Sequence, residues 1–328
     1  MMKKQKFPLG FFPTPLHQLK NLTKQYPDYR IFIKRDDHTG LATGGNKTRK
    51  LEYLIGEALS QNADTVITAG AQQSNHCRQT AAACAVAGLE CHLLLRGDQQ
   101  EETTGNLLLS KILGAKLHFT KEDKKGPGLM NLAKKLESEG RKPYIIPYGG
   151  SNLCGALGYV EAVEELKAQL DQMELALDYI FFASSSGGMQ AGLMLGMTLY
   201  KLNAALMPVC IDKEKTGEKK LEEEILQIIN DGCNCFNIKK KTKLNDIPML
   251  RGFNEAGYGV VTENEKEAIR TLAGKEGIIL DPVYTGRAFY AMLHHLKNQN
   301  LKPNTNILFW HTGGIPANFF YAKEIAPE

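Results

Sequence analysis

The alternation of short β-rich runs with runs of helical periodicity is what most constrains this chain. Apolar spacing at Leu51, Leu54, Ile55, Ala58 and Leu59 predicts a helix following Lys47. Residues 64–68, Asp-Thr-Val-Ile-Thr, read as a strand, and an alanine-rich helix is expected over 76–87. Further strands are expected at 89–95, 115–120 and 144–147, and these four with their helices would form one compact unit. A helix over 161–170 leads to a second unit, with strands at 179–183, 206–211, 278–280 and 307–310. Its helices are expected at 189–200, around Leu221, Ile225, Ile228 and Ile229, and at 286–296. Such alternation builds mostly parallel sheets covered by helices, an α/β fold. Residues 213–220 read as a charged loop, and 231–257 are rich in turn residues. There is no internal repeat, low-complexity tract or long linker, and 328 residues with 43% apolar content suit two domains.

Composition removes several function classes. The formal charge is +4, and the basic run Lys239-Lys240-Lys241 is short and free of interleaved aromatics, so it reads as a solvated loop rather than a nucleic-acid surface. Met1-Met2-Lys3-Lys4 is followed by Pro8, Pro13 and Pro15 in place of an apolar signal core. No run of 18 apolar residues occurs, and the expected compartment is the cytoplasm. The seven cysteines are scattered, and Cys233 and Cys235 lack zinc-site spacing, so free thiols and no metal are expected.

The chemistry should sit where strands end, because open α/β sheets bind ligands beyond the carboxyl ends of their strands. Lys47 lies in Gly44-Gly45-Asn46-Lys47-Thr48-Arg49-Lys50, after two glycines and before an amphipathic helix. Glycine lets backbone approach a ligand closely, and a desolvated amine there becomes a nucleophile able to form a Schiff base with an aldehyde; by itself the run also suits a solvated lysine. Ser184-Ser185-Ser186-Gly187-Gly188-Met189 opens a helix with free N–H groups, which suits a phosphate or an ordinary turn. It has no Walker lysine and no dinucleotide fingerprint. In Gln72-Gln73-Ser74-Asn75-His76, Ser74 or Asn75 could cap a helix, or Asn75 could bond a ring oxygen while Ser74 meets a carboxylate. Tyr284 could lean over a site or pack in the core, and Thr312, before Gly313-Gly314, could reach an aromatic nitrogen or simply form a turn. One small molecule combines an aldehyde, a phosphate, a phenolic oxygen and a pyridine nitrogen: pyridoxal 5′-phosphate.

The run from Gly44 to Lys50 continuing into Leu51-Glu52-Tyr53-Leu54, together with Gln73-Ser74-Asn75, resembles the 1-aminocyclopropane-1-carboxylate deaminase and D-cysteine desulfhydrase family of tryptophan-synthase-β-like, fold type II pyridoxal phosphate enzymes. The resemblance runs from Pro13-Thr14-Pro15-Leu16 through Lys34-Arg35-Asp36-Asp37 to Gly313-Gly314, nearly the whole chain. It implies two three-layer α/β domains with mostly parallel sheets, a small one over 49–160 and a large cofactor-binding one from 1–48 and 161–328, assembled as a homodimer. It implies that Lys47 anchors the cofactor and moves the substrate proton, that Asn75 bonds the phenolic oxygen, and that Ser74 contacts the substrate carboxylate. Ser185, Ser186, Gly187, Gly188 and Met189 would hold the phosphate, mainly through backbone N–H groups; the family usually has threonine at Met189, which removes one hydroxyl contact. Tyr258, in Gly257-Tyr258-Gly259, and Tyr284 match two family tyrosines that face the substrate.

Two positions separate the branches of that family. Deaminases resemble one another in having Glu after the Tyr of Asp-Pro-Val-Tyr and Leu before the late Gly-Gly, whereas this chain has Thr285 and Thr312, the desulfhydrase-like pair; His76 points the same way. A glutamate beside the pyridine nitrogen keeps it protonated and strengthens the electron sink, while a threonine hydroxyl pulls less. Opening a cyclopropane is expected to need more help than expelling a thiolate from the β-carbon, so a weaker sink should suffice for β-elimination. The expected reaction is α,β-elimination of D-cysteine to pyruvate, hydrogen sulfide and ammonia. The alternatives are ring-opening deamination, elimination from another acid such as cysteate, and a cofactor-binding regulator without catalysis.

Overall fold

A computed structural model describes residues 5–99, 103–121, 127–212, 220–239 and 241–326. All but the last residue of the charged loop expected at 213–220, and Lys240 of the basic run, lie outside the described residues. The chain opens with strand β1 (Leu16–Gln18), helix α1 (Lys20–Gln25), strand β2 (Tyr29–Arg35) and helix α2 (Lys47–Ser60). Four strand–helix units follow: β3 (Thr65–Ala71) with α3 (Asn75–Ala87), β4 (Glu90–Arg96) with α4 (Gly105–Ile112), β5 (Lys116–Thr120) with α5 (Gly128–Ser138), and β6 (Pro143–Ile145) with α6 (Leu153–Gln172). Then come β7 (Tyr179–Ser184), α7 (Gly188–Leu199), β8 (Ala205–Cys210), α8 (Leu221–Phe236), α9 (Glu263–Glu276), α10 (Thr285–Lys297) and β9 (Thr305–His311).

These strands form two sheets. One is all parallel, in the order β5-β4-β3-β6; the other runs β1-β2-β9-β7-β8, parallel except for the antiparallel edge strand β1. β9, near the end of the chain, pairs with β2, near its start, in register from Tyr29 opposite Thr305 to Arg35 opposite His311. Ile307, Leu308, Phe309 and Trp310 of β9 are fully buried, as a central parallel strand covered on both faces requires. Ile307 and Phe309 pack with Leu272 of α9 and Phe289 and Met292 of α10; Leu308 and Trp310 pack with Tyr159, Val163 and Leu166 of α6. In the other sheet, Val66, Leu93 and Leu95 pack against Leu51 and Leu54 of α2 and Ala81 and Cys84 of α3. All seven cysteines are free thiols, and among the described residues no helix is long and apolar enough to cross a membrane.

The parallel α/β class and twelve of the expected elements are present within a few residues of their expected bounds. Residues 278–280 are not a strand. Both flanks of β9 are taken, by β2 and β7, so this segment does not pair beside it; Ile278 and Leu280 fill the core beneath α9 and α10 instead. β1, α1, β2 and α9 lie outside the expected set, although Thr262 and Glu265 form a reciprocal capping box that announces α9. α6 starts eight residues before the expected 161, capped by Asn152. Gly155 and Gly158 interrupt the apolar pattern there because α6 lies against other backbone: a Cβ at Gly158 would stand 2.2 Å from the Arg49 carbonyl oxygen.

Candidate active site

The segment carrying Lys47 is held by backbone contacts from three directions. Gly44 and Gly45 take φ of +71° and +127°, and a Cβ on Gly44 would lie 2.0 Å from the Asp37 carbonyl oxygen; only glycine fits that close approach with that backbone. Gly45 N–H donates to Thr39 Oγ1 (2.8 Å), Asn46 N–H to the Thr312 carbonyl (3.0 Å) and Thr48 N–H to Gln79 Oε1 (3.0 Å). The turn is thereby fastened to the end of β9 and to α3, and Lys47 becomes the first residue of α2. Lys47 keeps some exposure, toward the cavity that it lines. Burial lowers its amine to about 8, with the Asp212 carboxylate opposing the shift. Near neutrality a useful fraction of this amine is unprotonated.

The cavity beside Lys47 is also lined by Ser74, Asn75 and His76 from the start of α3. Ser74 is the cap: its Oγ accepts from Cys77 N–H at 3.2 Å, and its own proton is free to donate. Asn75 Oδ1 accepts from Asn106 Nδ2 at 3.0 Å, so the amide left for the cavity is the donor Nδ2. His76 hydrogen-bonds Thr68 Oγ1 at 2.9 Å. Because that hydroxyl spends its proton on the Ile146 carbonyl (2.9 Å), His76 Nε2 is the donor and Nδ1 an unprotonated, partnerless acceptor. Burial, then the charges of Lys47 and Lys50, keep this imidazole neutral.

The opposite wall is the start of α7, where Ser184, Ser185, Ser186, Gly187 and Met189 face the cavity. Gly187 has φ +78°, and a Cβ on Gly188 would lie 2.7 Å from both Lys50 Nζ and Ser151 Oγ, so the turn brings backbone N–H groups against a second buried amine. Lys50 Nζ donates to the Gly149 carbonyl (2.7 Å) and Ser151 Oγ (3.0 Å), and burial followed by the charge of Lys47 pushes its pKa well down. Ser185 Oγ donates to Asp212. Met189 Sδ accepts from Asn46 Nδ2 at 3.9 Å, so the thioether packs against the lysine turn.

Tyr284 and Thr312 complete the wall. Tyr258 reaches it through Tyr284, the two hydroxyls lying 2.7 Å apart; burial raises the pKa of both phenols, which stay neutral. Thr285 does not line the cavity. Its Oγ1 donates to Asp281 Oδ2 at 2.7 Å and accepts from Asp281 N–H at 2.8 Å, inside the turn that opens α10. Lys50, Tyr148 and Ser151 were not singled out in the sequence. Lys50 reads there as one of three basic residues near a helix start, and Tyr148 follows a strand only three residues long.

An aldehyde-bearing ring with an anionic group suits these walls. They offer a partly deprotonated amine, an amide donor, a helix N-terminus with a second amine beside it, and no carboxylate among the described lining residues. A family model described as "Pyridoxal-phosphate dependent enzyme" matches residues 8–313, and this sets the class. The bifunctional D-cysteine desulfhydrase/1-aminocyclopropane-1-carboxylate deaminase of Arabidopsis thaliana is 40% identical over 324 residues, covering 94% of this chain and 78% of that protein. The D-cysteine desulfhydrase of Salmonella paratyphi A is 39% identical over 322 residues, 95% of each chain. The crystal structure of an ACC deaminase homologue superposes with a TM-score of 0.89 at 37% identity, covering 98% of this chain and 96% of that one. The chain belongs to the D-cysteine desulfhydrase and ACC deaminase family of pyridoxal-phosphate dependent enzymes.

Proposed function

We propose that this protein is a pyridoxal-phosphate dependent lyase acting on D-cysteine, with pyruvate, hydrogen sulfide and ammonia as products. The observation that carries the choice of substrate is the wall around Thr312: a hydroxyl and no carboxylate among the described lining residues. With no acidic group to keep a pyridine nitrogen protonated, the site suits a good leaving group such as a thiolate better than a strained ring. Relatives named for both reactions leave room for either.

In this reading the start of α7, with Lys50 beside it, would hold the cofactor's phosphate, Asn75 Nδ2 would receive its phenolic oxygen, and Lys47 would anchor it through its aldehyde. Pyridoxal phosphate supplies the electron sink that draws charge from the substrate α-carbon. Lys47, with its lowered pKa, takes the α-proton as a neutral amine. Ser74, whose lone pair is fixed by Cys77 N–H, donates its proton to the substrate carboxylate. The Tyr258 and Tyr284 hydroxyls, 2.7 Å apart and neutral, would supply the proton that the departing sulfur takes up.

Purified protein assayed for pyruvate with D-cysteine, L-cysteine, β-chloro-D-alanine, cysteate and the cyclopropane acid should show its highest kcat/KM with D-cysteine. Faster turnover of the cyclopropane acid would sink the reading in favour of deamination. Bound cofactor with no pyruvate from any substrate would point to a regulator.

The position of Thr285 changes what a branch-swapping variant should do. Thr285→Glu removes a buried hydroxyl that both donates to and accepts from Asp281 and sets a second carboxylate beside the first. Loss of such a buried hydrogen bond costs about 1–3 kcal/mol. Urea unfolding should show that loss for Thr285→Glu, with Thr312→Leu close to the parent; equal stability of the two variants would refute the assignment of Thr285 to the Asp281 turn.

A further inference from the structure

Arg78 lies on α3 three residues beyond Asn75, and its side chain is fully buried. Its guanidinium has donors only. Nη2 donates to the Gly44 carbonyl at 2.7 Å and Nη1 to Asn106 Oδ1 at 2.8 Å, with Asn75 Oδ1 at 3.4 Å from the same nitrogen; Nε has no partner. Burial alone lowers its pKa, to about 9, and among the described residues no carboxylate offsets that shift. A buried cation without a counter-ion is costly, so its retention asks for a reason.

The sense of the hydrogen bonds supplies one. Because arginine can only donate, Asn106 must turn Oδ1 toward it. Asn106 Nδ2 then faces away and donates to the Gln73 carbonyl and to Asn75 Oδ1, both at 3.0 Å. Asn75 therefore accepts on its protein side, and the atom left for the cavity is Nδ2, a donor. Without the guanidinium both amides could turn over, and Asn75 could show the cavity an acceptor that repels an anion. The Lys47 turn itself does not depend on Arg78, since Gly44 N–H donates to the Leu41 carbonyl, Gly45 N–H to Thr39 Oγ1 and Asn46 N–H to the Thr312 carbonyl.

We propose that Arg78 is a positioning residue which, acting through Asn106 and Asn75, fixes the donor polarity that receives the phenolic oxygen of pyridoxal phosphate as an anion. This rests on the reading that Asn75 meets that oxygen. Full-length parent, Arg78→Gln and Arg78→Lys, each freed of cofactor, would be titrated with pyridoxal 5′-phosphate and with its 3-deoxy analogue, which lacks the phenolic oxygen. Arg78→Gln should weaken binding of pyridoxal phosphate about tenfold or more, the size expected for hydrogen bonds to a charged group. It should change binding of the analogue less than about twofold, and Arg78→Lys should keep most of the parent's preference. A merely structural arginine would weaken both ligands alike, and that result overturns the proposal. If Arg78→Gln does not fold, Asn106→Asp, which keeps the guanidinium and removes the donor to Asn75, must show the same selective loss, and equal loss of both ligands overturns the proposal. A parent that develops no Lys47-dependent absorbance with pyridoxal phosphate overturns the cofactor geometry and this proposal with it. A parent that does, with Arg78→Gln weakening both ligands alike, overturns this proposal alone.

Discussion

Replacing Lys47 with alanine should abolish the visible absorbance of lysine-bound cofactor and lower pyruvate formation by at least about 10³-fold, the range lost with a positioned acid–base group. The site argues for an effect of that size. No second amine can take the place of Lys47 without cost: Lys50 is the other amine on the cavity wall, and its Nζ is committed to the Gly149 carbonyl and Ser151. Since the Lys47 side chain faces a cavity rather than the core, its truncation should leave the unfolding transition near that of the parent. Spectra and a denaturation curve on the same preparation separate the two effects. A variant that keeps the lysine-bound absorbance shows that Lys47 is not the anchor.

Arg49→Met should produce the largest loss of stability, about 3–5 kcal/mol, because it strands a buried charge. Asp36 is fully buried, and Arg49 meets both of its oxygens, at 2.9 and 2.8 Å. The same guanidinium holds Glu165 on α6 and Thr14, while Lys34 joins Glu165 from the other side. Three segments of the chain thus meet two residues from Lys47, and the start of α2 is anchored by them. Burial opposes the charge on Asp36, yet Arg49 beside it holds the carboxyl below the usual range. A carboxylate depressed in the folded state contributes stability above its unfolded pKa of about 3.9 and loses it as pH falls through the folded value. The difference between parent and variant should therefore be full at neutral pH and shrink below about pH 4. Urea unfolding at pH 7 that differs by less than about 1 kcal/mol would remove Arg49 from this role.

Both predictions come from one short run of sequence, and they differ in how far that run disclosed them. Lys47 is legible because glycines, a helix start and polar strand ends are local signals, each with a local cause. The Ser74 to His76 and Ser184 to Met189 segments are legible for the same reason: each follows a strand and opens a helix. Arg49, Lys50 and Arg78 are not. A cation on a helix has the same local signature whether it faces water or the protein interior, and only packing against Asp36 and α6, the Gly149 carbonyl and the Gly44 turn distinguishes these cases. Thr285 shows the converse. Its neighbours in sequence suggest a site residue, but Asp281, four positions earlier, captures its hydroxyl in the turn.

By itself the sequence determined the parallel α/β class, the family, the cofactor and most of the segments that meet at the cavity, because periodicity and helix-start chemistry act over a few residues. Tertiary structure alone decided that residues 278–280 would fill the core rather than extend a sheet whose central strand already had both neighbours. It also decided which cations lose water, and therefore which of them set charge and hydrogen-bond direction in the site. Desolvation and donor–acceptor sense depend on every group that surrounds an atom, and those groups come from parts of the chain far apart in sequence.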